Sequence, residues 1–216
     1  QVVKIAKKYG ILVHTDAVQC MGKMSIDVQK LDVDFLSLSA HKFYGPKGIG
    51  VLYAKNPKIL KPLIIGGGQE SSLRAGTENI AYIAAMGLAS ELATKSLKKN
   101  IAHLNSLETQ FKQRLKNSFK NIIFNGSQSH KLPGLISVSF PGFSSEILII
   151  KLDREEIYVS SGSACGSGIV KPSHVLSAIG LDESTNLSTL RFSFGLSNTL
   201  EEIKILIHIL KNKIFK

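Results

Sequence analysis

Residues 34–48, "DFLSLSAHKFYGPKG", carry the strongest structural signal in this 216-residue sequence. The first half is a short apolar run bounded by polar and turn residues, which is typical of a buried strand in an α/β sheet. Ser39, His41 and Lys42 follow the apolar run, and a glycine-containing turn comes next. Because the carboxyl ends of such strands line the ligand crevice of α/β proteins, these three residues are candidates for a binding site.

Two further strands are predicted on either side of this stretch. "ILVHTDA", residues 11–17, is another apolar run that we expect to be buried, with Asp16 and Gln19 at its end, and "IGVLYA", residues 49–54, follows the glycines. A helix ending at Gly10 precedes them, since its apolar residues have helical spacing. The spacing of these elements predicts an α/β fold with an open, mainly parallel or mixed sheet. Asp16 and Gln19 are then expected beside Lys42.

The remainder of the chain predicts a second domain. Residues 62–79 form a glycine-rich loop, and a helical period follows in two stretches as far as Phe119, the second of them amphipathic. Strands "NIIFNG", "LISVSF" and "TLRFSFG" then alternate with helices "SSEILIIKL" and "PSHVLSAIG", and a final helix begins with a capping box from Thr199 to Glu202. We therefore expect a partial large domain over residues 1–94, including the start of a bridging helix, and a small α+β domain over residues 95–216.

Composition excludes several classes of protein. No apolar run approaches the roughly 20 residues that span a bilayer, and the first residues lack the layout of a signal peptide, so we expect a cytoplasmic protein with no membrane partner. The net charge is +11, but the lysines alternate with apolar positions along helices, which indicates solvated helix faces and no nucleic-acid partner. Two distant cysteines and scattered histidines predict neither a disulfide nor a metal site.

One of the two cysteines has unusual surroundings. Cys165 lies in "SSGSACGSG", among glycines and serines that offer no burial, whereas Cys20 lies in "DAVQCMG" and is expected in the core. Considered alone, Cys165 is most simply an incidental cysteine in a surface loop. Glycine and serine also allow a segment to move, because they bury little and bend at low cost. A mobile loop over residues 160–170 is therefore predicted.

The polar residues at the predicted strand ends suit one cofactor in particular. A lysine for covalent linkage to the aldehyde and a carboxylate for the protonated ring nitrogen are what pyridoxal phosphate requires. Lys42 and Asp16 supply these groups, and Ser39 and His41 could donate to the phosphate. Each residue also has an ordinary interpretation, since aspartates often cap helices and lysines in loops are usually solvated. Their combination favours the cofactor.

The order of the motifs identifies a family. "HTDAVQ", "SAHKFYGPKG", "GGGQESSLRAGTEN", "SSGSAC" and "LRFSFG" occur in succession over essentially the whole chain. The chain resembles the cysteine desulfurases of the NifS/IscS type, in the class V aminotransferase family of fold-type I pyridoxal-phosphate enzymes. The resemblance implies that Lys42 carries the cofactor and that Asp16 holds its ring nitrogen. It also implies that Gln19 meets the phenolic oxygen and that Ser39 and His41 lie at the phosphate.

The same resemblance assigns three more residues and the partners. Thr77 is implied to reach the phosphate in the other subunit of a homodimer. Arg191 is implied to clamp the carboxylate of the substrate, L-cysteine, with the bidentate geometry of arginine. Cys165 is implied to be the nucleophile that takes the substrate sulfur as a persulfide, leaving alanine. The sulfur then passes to an acceptor or to an iron–sulfur scaffold protein.

Departures from the family pattern keep alternatives open. "QESSLRAG" replaces the usual "QERGLRSG", and Gly166 replaces a common threonine. The family's large domain starts well upstream, with a histidine that stacks on the cofactor and a phosphate-binding loop, so we expect the chain to be a fragment. A selenocysteine lyase or an aminotransferase of the same fold is the nearest alternative. A non-catalytic sulfur-relay or scaffold-binding fragment is the alternative outside enzymes.

Overall fold

The computed structural model describes residues 1–161 and 171–215. The chain divides into two compact units, one ending at Lys99 and the other beginning at Asn100. The assignment of residues 1–94 and 95–216 to a cofactor-binding domain and a small domain stays a prediction. Among the described residues, no helix is both long enough and apolar enough to cross a membrane.

The first unit contains a three-stranded sheet and several helices. Its elements are α1 Val2–Lys8, β1 His14–Asp16, α2 Val28–Leu31, β2 Phe35–Ser39, a 3₁₀ turn Ala40–Phe43, β3 Gly50–Ala54, a 3₁₀ turn Pro57–Ile59, α3 Gln69–Ser72 and α4 Ile80–Lys95. The strand order is β1-β2-β3. β1 runs parallel to β2 and β3 runs antiparallel to it, so the sheet is open and mixed, as predicted.

Strand β1 is shorter and more exposed than predicted. Residues 11–13 lie outside it, and both Ile11 and Leu12 are 58% exposed. The carbonyl of Val13 accepts hydrogen bonds from the amides of Asp34 and Phe35, at 2.9 and 3.0 Å, and the Val13 amide donates to Asp34 Oδ2 at 2.8 Å. These hydrogen bonds take the place of regular strand pairing in the residues before His14. The expectation of a buried strand over residues 11–17 was therefore wrong in length and burial.

The core of the first unit is small. One apolar cluster contains the buried residues Ala17, Val33 and Leu36, and Cys20 is among the partly buried residues packed against it. Cys20 is half-buried and carries a free thiol, so the expectation of a core cysteine was correct only in part. The small cluster holds the end of β1 against β2, which positions the residues that follow both strands.

The second unit is an antiparallel sheet with helices packed on it. Its elements are α5 Leu97–Ser118, β4 Ile123–Phe124, β5 Leu135–Ser139, α6 Ser145–Asp153, α7 His174–Ala178, α8 Glu183–Leu187, β6 Thr189–Ser193 and α9 Leu200–Ile209, followed by a π-helical turn Leu210–Ile214. The strand order is β4-β5-β6. All three predicted strands and the predicted helices of this region are present, whereas the short helix α8 was not predicted.

Alternation along β5 and β6 explains the core of the second unit. Ile136, Val138, Leu190 and Phe192 are all buried, and they occupy every second position of the two strands. Apolar residues of three helices pack in the same cluster: Leu107, Phe111 and Leu115 of α5, Leu148 and Leu152 of α6, and Ile203, Leu206 and Ile207 of α9. Arg191 lies between Leu190 and Phe192 on β6, so its side chain is on the opposite face of the strand.

Candidate cofactor-binding site

The ends of β1 and β2 lie at one edge of the first sheet. Asp16 pairs in register with Ser37, and the amide of Ala17 donates to the Ser37 carbonyl at 3.0 Å. Because the two strands are parallel, the residues after Asp16 and those after Ser39 leave the sheet on the same side. The edge thus gathers Asp16, Gln19, Ser39, His41 and Lys42, the five strand-end residues selected from the sequence.

Asp16 ends β1 in a turn. Its Oδ1 accepts the amide of Val18 at 3.0 Å, which is the geometry of an aspartate that stabilises a turn. Residues 18–23 form turns and no helix, so the alternative interpretation of Asp16 as a helix cap is wrong. The side chain is exposed at the sheet edge, where a carboxylate can accept a hydrogen bond from a ligand.

Ser39, His41 and Lys42 belong to a tight turn that is anchored by its apolar residues. Ala40 and Phe43 are buried, so His41 and Lys42, between them in the sequence, are exposed. Ser39 Oγ lies 2.8 Å from His41 Nδ1. The turn closes on Gly45, where an added Cβ would come within 2.9 Å of the Ala40 Cβ. A glycine is required there by this close approach.

Lys23 joins this group although it was not selected from the sequence. Its Nζ donates to Gln19 Oε1 at 3.1 Å. Burial is the main influence that lowers the pKa of Lys23, and the positive charge of Lys42 lowers it further. In the sequence, only the position of Lys23 four residues after Gln19 could have indicated this contact.

The neighbouring Cys20 is not set up as a nucleophile. Burial raises the pKa of the Cys20 thiol most, the negative charge of Asp16 raises it further, and the positive charge of Lys23 lowers it. A thiol with a raised pKa carries little thiolate at neutral pH, and the thiolate is the reactive form. Cys20 therefore has the properties of a packing residue beside the site.

The loop containing Thr77 is tightly folded. Gly66 approaches Ala75 so closely that a Cβ on Gly66 would lie 2.9 Å from that of Ala75, and the Gly76 amide donates to Gln69 Oε1 at 3.2 Å. Ser72, which stands where the family pattern has glycine, keeps a left-handed φ of 65°. Thr77 itself is exposed, and in the part of the chain that the structure describes it forms no hydrogen bond with the strand-end residues.

The other two selected residues belong to the second unit. Arg191 is half-buried on β6, and its main chain forms an antiparallel bridge with Ser160, with hydrogen bonds of 2.6 and 3.2 Å. Cys165 and the rest of the predicted loop beyond Ser161 lie outside the described residues.

The donor set at the strand ends fits pyridoxal phosphate. Asp16 offers a carboxylate for a protonated ring nitrogen, Lys42 a primary amine for the aldehyde, and the Ser39–His41 pair a hydroxyl and an imidazole for the phosphate. All of these except the half-buried Ser39 are exposed, so a ligand can reach them. Among the described residues, no group of three or more histidine, cysteine or acidic side chains could hold a metal ion.

Comparison with known proteins agrees with this geometry. A sequence profile described as "Aminotransferase class-V" matches residues 1–206. A protein of Dictyoglomus turgidum named "Cysteine desulfurase IscS" is 44% identical over 213 residues, which cover 99% of this chain and 54% of that relative. The chain thus spans about half the length of the curated relatives that it matches.

Solved structures show the same fold. A NifS-like protein from Rickettsia africae superposes with a TM-score of 0.88 at 33% identity, covering 98% of this chain and 56% of that one. A structure described as SspA in complex with cysteine superposes with a TM-score of 0.68 at 35% identity, covering 88% of this chain and 52% of that one. The profile match over residues 1–206, together with these structures, shows that the chain belongs to the class V aminotransferase family.

Proposed function

We propose that the full-length protein containing this chain is a pyridoxal-phosphate-dependent cysteine desulfurase. The observation that carries the proposal is that five polar residues lie at one sheet edge: Asp16, Gln19, Ser39, His41 and Lys42. In addition, a relative that matches 99% of this chain is named a cysteine desulfurase. L-Cysteine is the proposed substrate, and a relative of the same fold is described in complex with cysteine.

The strand-end residues would each bind a different part of the cofactor. Lys42 would hold it covalently, Asp16 would accept a hydrogen bond from the ring nitrogen, Gln19 would contact the phenolic oxygen, and Ser39 and His41 would bind the phosphate. When bound, pyridoxal phosphate supplies an electron-withdrawing ring that makes the Cα proton of an amino acid acidic. The negative charge of Asp16 matters most for this property, because it keeps the ring nitrogen protonated.

Two residues act directly on the substrate in this proposal. Arg191 binds the carboxylate of L-cysteine through two parallel hydrogen bonds, which orient the amino acid. Lys42 Nζ, as a free amine, would remove the Cα proton of the substrate as a general base. The same amine can return a proton to the product.

Cys165 is the proposed sulfur acceptor. Its thiolate forms an S–S bond with the substrate sulfur while the Cβ–S bond of the substrate breaks. The electron pair of the broken bond stays with the carbon, which is protonated and leaves as alanine, and a persulfide remains on Cys165. An acceptor or an iron–sulfur scaffold protein then takes the sulfur. A free thiol persists best in a reducing compartment, which supports a cytoplasmic location.

A cysteine substitution in the full-length protein tests this function. In Cys165→Ser we expect normal binding of pyridoxal phosphate, because no contact with the cofactor uses the thiol, but almost complete loss of alanine formation from L-cysteine. Mass spectrometry of the unmodified enzyme after one turnover should find an extra sulfur atom on the peptide that contains Cys165.

The other cysteine provides the matched control. Cys20→Ser should keep most of the desulfurase activity, since Cys20 is half-buried and its raised pKa disfavours the thiolate. Desulfurase activity in Cys165→Ser, or an extra sulfur on Cys20, would overturn the proposal and favour an aminotransferase. Absence of a visible cofactor band in the full-length protein would favour the non-catalytic alternative.

A further inference from the structure

We propose that Lys23 is a positioning residue that fixes the side-chain amide of Gln19, so that the amide presents its Nε2 to the phenolic oxygen of the cofactor. The proposal rests on the proposed function, because it requires pyridoxal phosphate at the strand-end residues. It assigns a role to a residue outside the set of cofactor and substrate contacts, through the contact between Lys23 Nζ and Gln19 Oε1 at 3.1 Å.

The chemistry of the contact determines which way the amide points. A lysine ammonium has three donors and no acceptor, so the glutamine atom that it touches must be the carbonyl oxygen. The Nε2 group, on the other side of the same amide, is then directed away from Lys23. A phenolic oxygen that has lost its proton can only accept hydrogen bonds, so Nε2 is the atom it requires. Without Lys23, either end of the amide could occupy that position.

The turn after β1 holds Lys23 in place for this contact. The Cys20 amide donates to the Ala17 carbonyl at 2.9 Å, and the Lys23 amide donates to the Cys20 carbonyl at 3.0 Å. Gly22 has a φ of 76°, a left-handed conformation that glycine adopts readily. The hydrogen-bonded backbone therefore sets the distance between the side chains of Gln19 and Lys23.

The surroundings of Lys23 differ from those of a surface lysine. The side chain is half-buried, and Lys42 and Cys20 are the ionisable groups that influence it, with Asp16 acting in turn on Cys20. Partial burial of a cation under the influence of another positive charge is unfavourable unless a hydrogen bond compensates for it. The contact with Gln19 supplies such a bond. The positive charge also polarises the amide and strengthens the Nε2 donor.

The experiment uses the full-length protein with bound pyridoxal phosphate and compares Lys23→Met with Lys23→Arg. Met removes the donor while keeping a similar length. We therefore expect the cofactor to be released about tenfold faster, which is the scale of one hydrogen bond to a charged group. The pH midpoint of the visible absorbance should also shift. Arg retains donors and charge and should restore both readouts. Lys58→Met, at an exposed lysine of the same unit, should change neither.

A double variant separates positioning from a general effect on structure. In the Gln19→Ala background, Lys23→Met should cause no additional change in cofactor release, because the amide on which Lys23 acts is gone. An equal loss in that background, or an unchanged absorbance in Lys23→Met, would overturn the role of Lys23. Failure of the proposed function itself would be seen earlier and separately, as a wild-type protein without the cofactor band.

Discussion

Ala40 and Phe43 show how two buried residues can position functional neighbours. Both are buried, with 0% and 3% of their surfaces exposed, and they anchor the turn that follows β2. His41 and Lys42 lie between them in the sequence and are exposed at the sheet edge. Anchoring of this kind limits the motion of a reactive side chain without direct contacts to it, which is how a site is organised before its ligand binds.

Asp16 should control turnover more than cofactor attachment. In the full-length protein, Asp16→Ala and Asp16→Asn should both retain covalently linked cofactor through Lys42. Both should lose turnover by about two orders of magnitude, the scale of losing a preorganised electrostatic contact, because neither keeps the ring nitrogen protonated. Absorbance and alanine formation are the measurements. The exposed Asp153→Ala is the control. Near-normal turnover in Asp16→Ala would mean that the ring nitrogen has another partner.

Glu108 is a buried carboxylate with several donors around it. It is 7% exposed, accepts from Lys131 Nζ at 2.6 Å and from the Gly134 amide at 3.2 Å, and forms a second ion pair with Lys112. Burial, the largest influence, would raise the pKa of Glu108, but the hydrogen bonds and charges of Lys112 and Lys131 lower it below its ordinary value of 4.5. The carboxylate is therefore stabilised in the folded state.

Replacing Glu108 should destabilise the second unit and alter its response to acid. Glu108→Gln should lower the free energy of unfolding by about 3 kcal/mol at pH 7, since two partly buried lysines lose their partner. Because the folded pKa is lowered, the carboxylate stabilises the protein above its ordinary pKa and this contribution is lost as pH falls through the folded pKa. Urea unfolding at pH 7 and at pH 4 should therefore show a smaller difference from wild type at pH 4.

The exposed ion pair between Glu201 and Lys204 provides the comparison for Glu108. Glu201→Gln should change the free energy of unfolding by less than about 0.5 kcal/mol, because pairs in water contribute little. An effect of Glu108→Gln as small as this would show that the buried carboxylate does not stabilise the fold.

At the scale of elements, α9 begins with a reciprocal pair of hydrogen bonds. Thr199 Oγ1 accepts the Glu202 amide at 3.2 Å, and Glu202 Oε2 accepts the Thr199 amide at 2.8 Å. The capping box predicted from the sequence is thus confirmed. The cap fixes the start of a helix whose residues Ile203, Leu206 and Ile207 belong to the core of the second unit.

Loss of this cap should be measurable. Thr199→Ala removes the side-chain acceptor and should lower the free energy of unfolding of the second unit by about 1 kcal/mol, followed by urea denaturation. Thr109→Ala, at an exposed position within α5, is the matched control and should stay within about 0.5 kcal/mol of wild type or raise stability slightly, since alanine favours helices. Equal effects of the two substitutions would argue against the capping box as a stabilising feature.

At the scale of the whole molecule, the apolar surface of α4 stands out. Only Ala93 of its sixteen residues is buried, whereas Ile80, Leu88 and Leu92 are 73%, 57% and 55% exposed. Exposed apolar surfaces of this kind mark interfaces. A homodimer of the full-length protein stays a proposal that rests on the role that the family resemblance implies for Thr77.

Mixing two inactive variants tests both the dimer and the role of Thr77. If Thr77 serves the neighbouring subunit, a hybrid of Lys42→Ala and Thr77→Ala subunits contains one site with both substitutions and one intact site. Activity should then reappear on mixing, up to about half the wild-type value per hybrid dimer. No recovery, with hybrids verified by light scattering and mass, would place Thr77 in the site of its own subunit. A monomer that binds cofactor tightly would contradict the dimer.

The sequence by itself determined the period of each segment and the order of the motifs. Short apolar segments were enough to predict β2, β5 and β6, and helical spacing was enough for α4, α5 and α9, because both patterns are local. The strand-end position of Asp16, Gln19, Ser39, His41 and Lys42 followed from the same patterns. Family membership followed from the order of the motifs.

Only the tertiary structure decided which of these residues touch and where the strands begin. β1 starts at His14 because Val13 bonds to Asp34 and Phe35, residues more than twenty positions away, which no local pattern records. Cys20 is half-buried because the cluster around Leu36 is small. Lys23 contacts Gln19, four residues away in the turn after β1, and only the folded turn shows that this hydrogen bond forms and that the charge of Lys42 acts on Lys23.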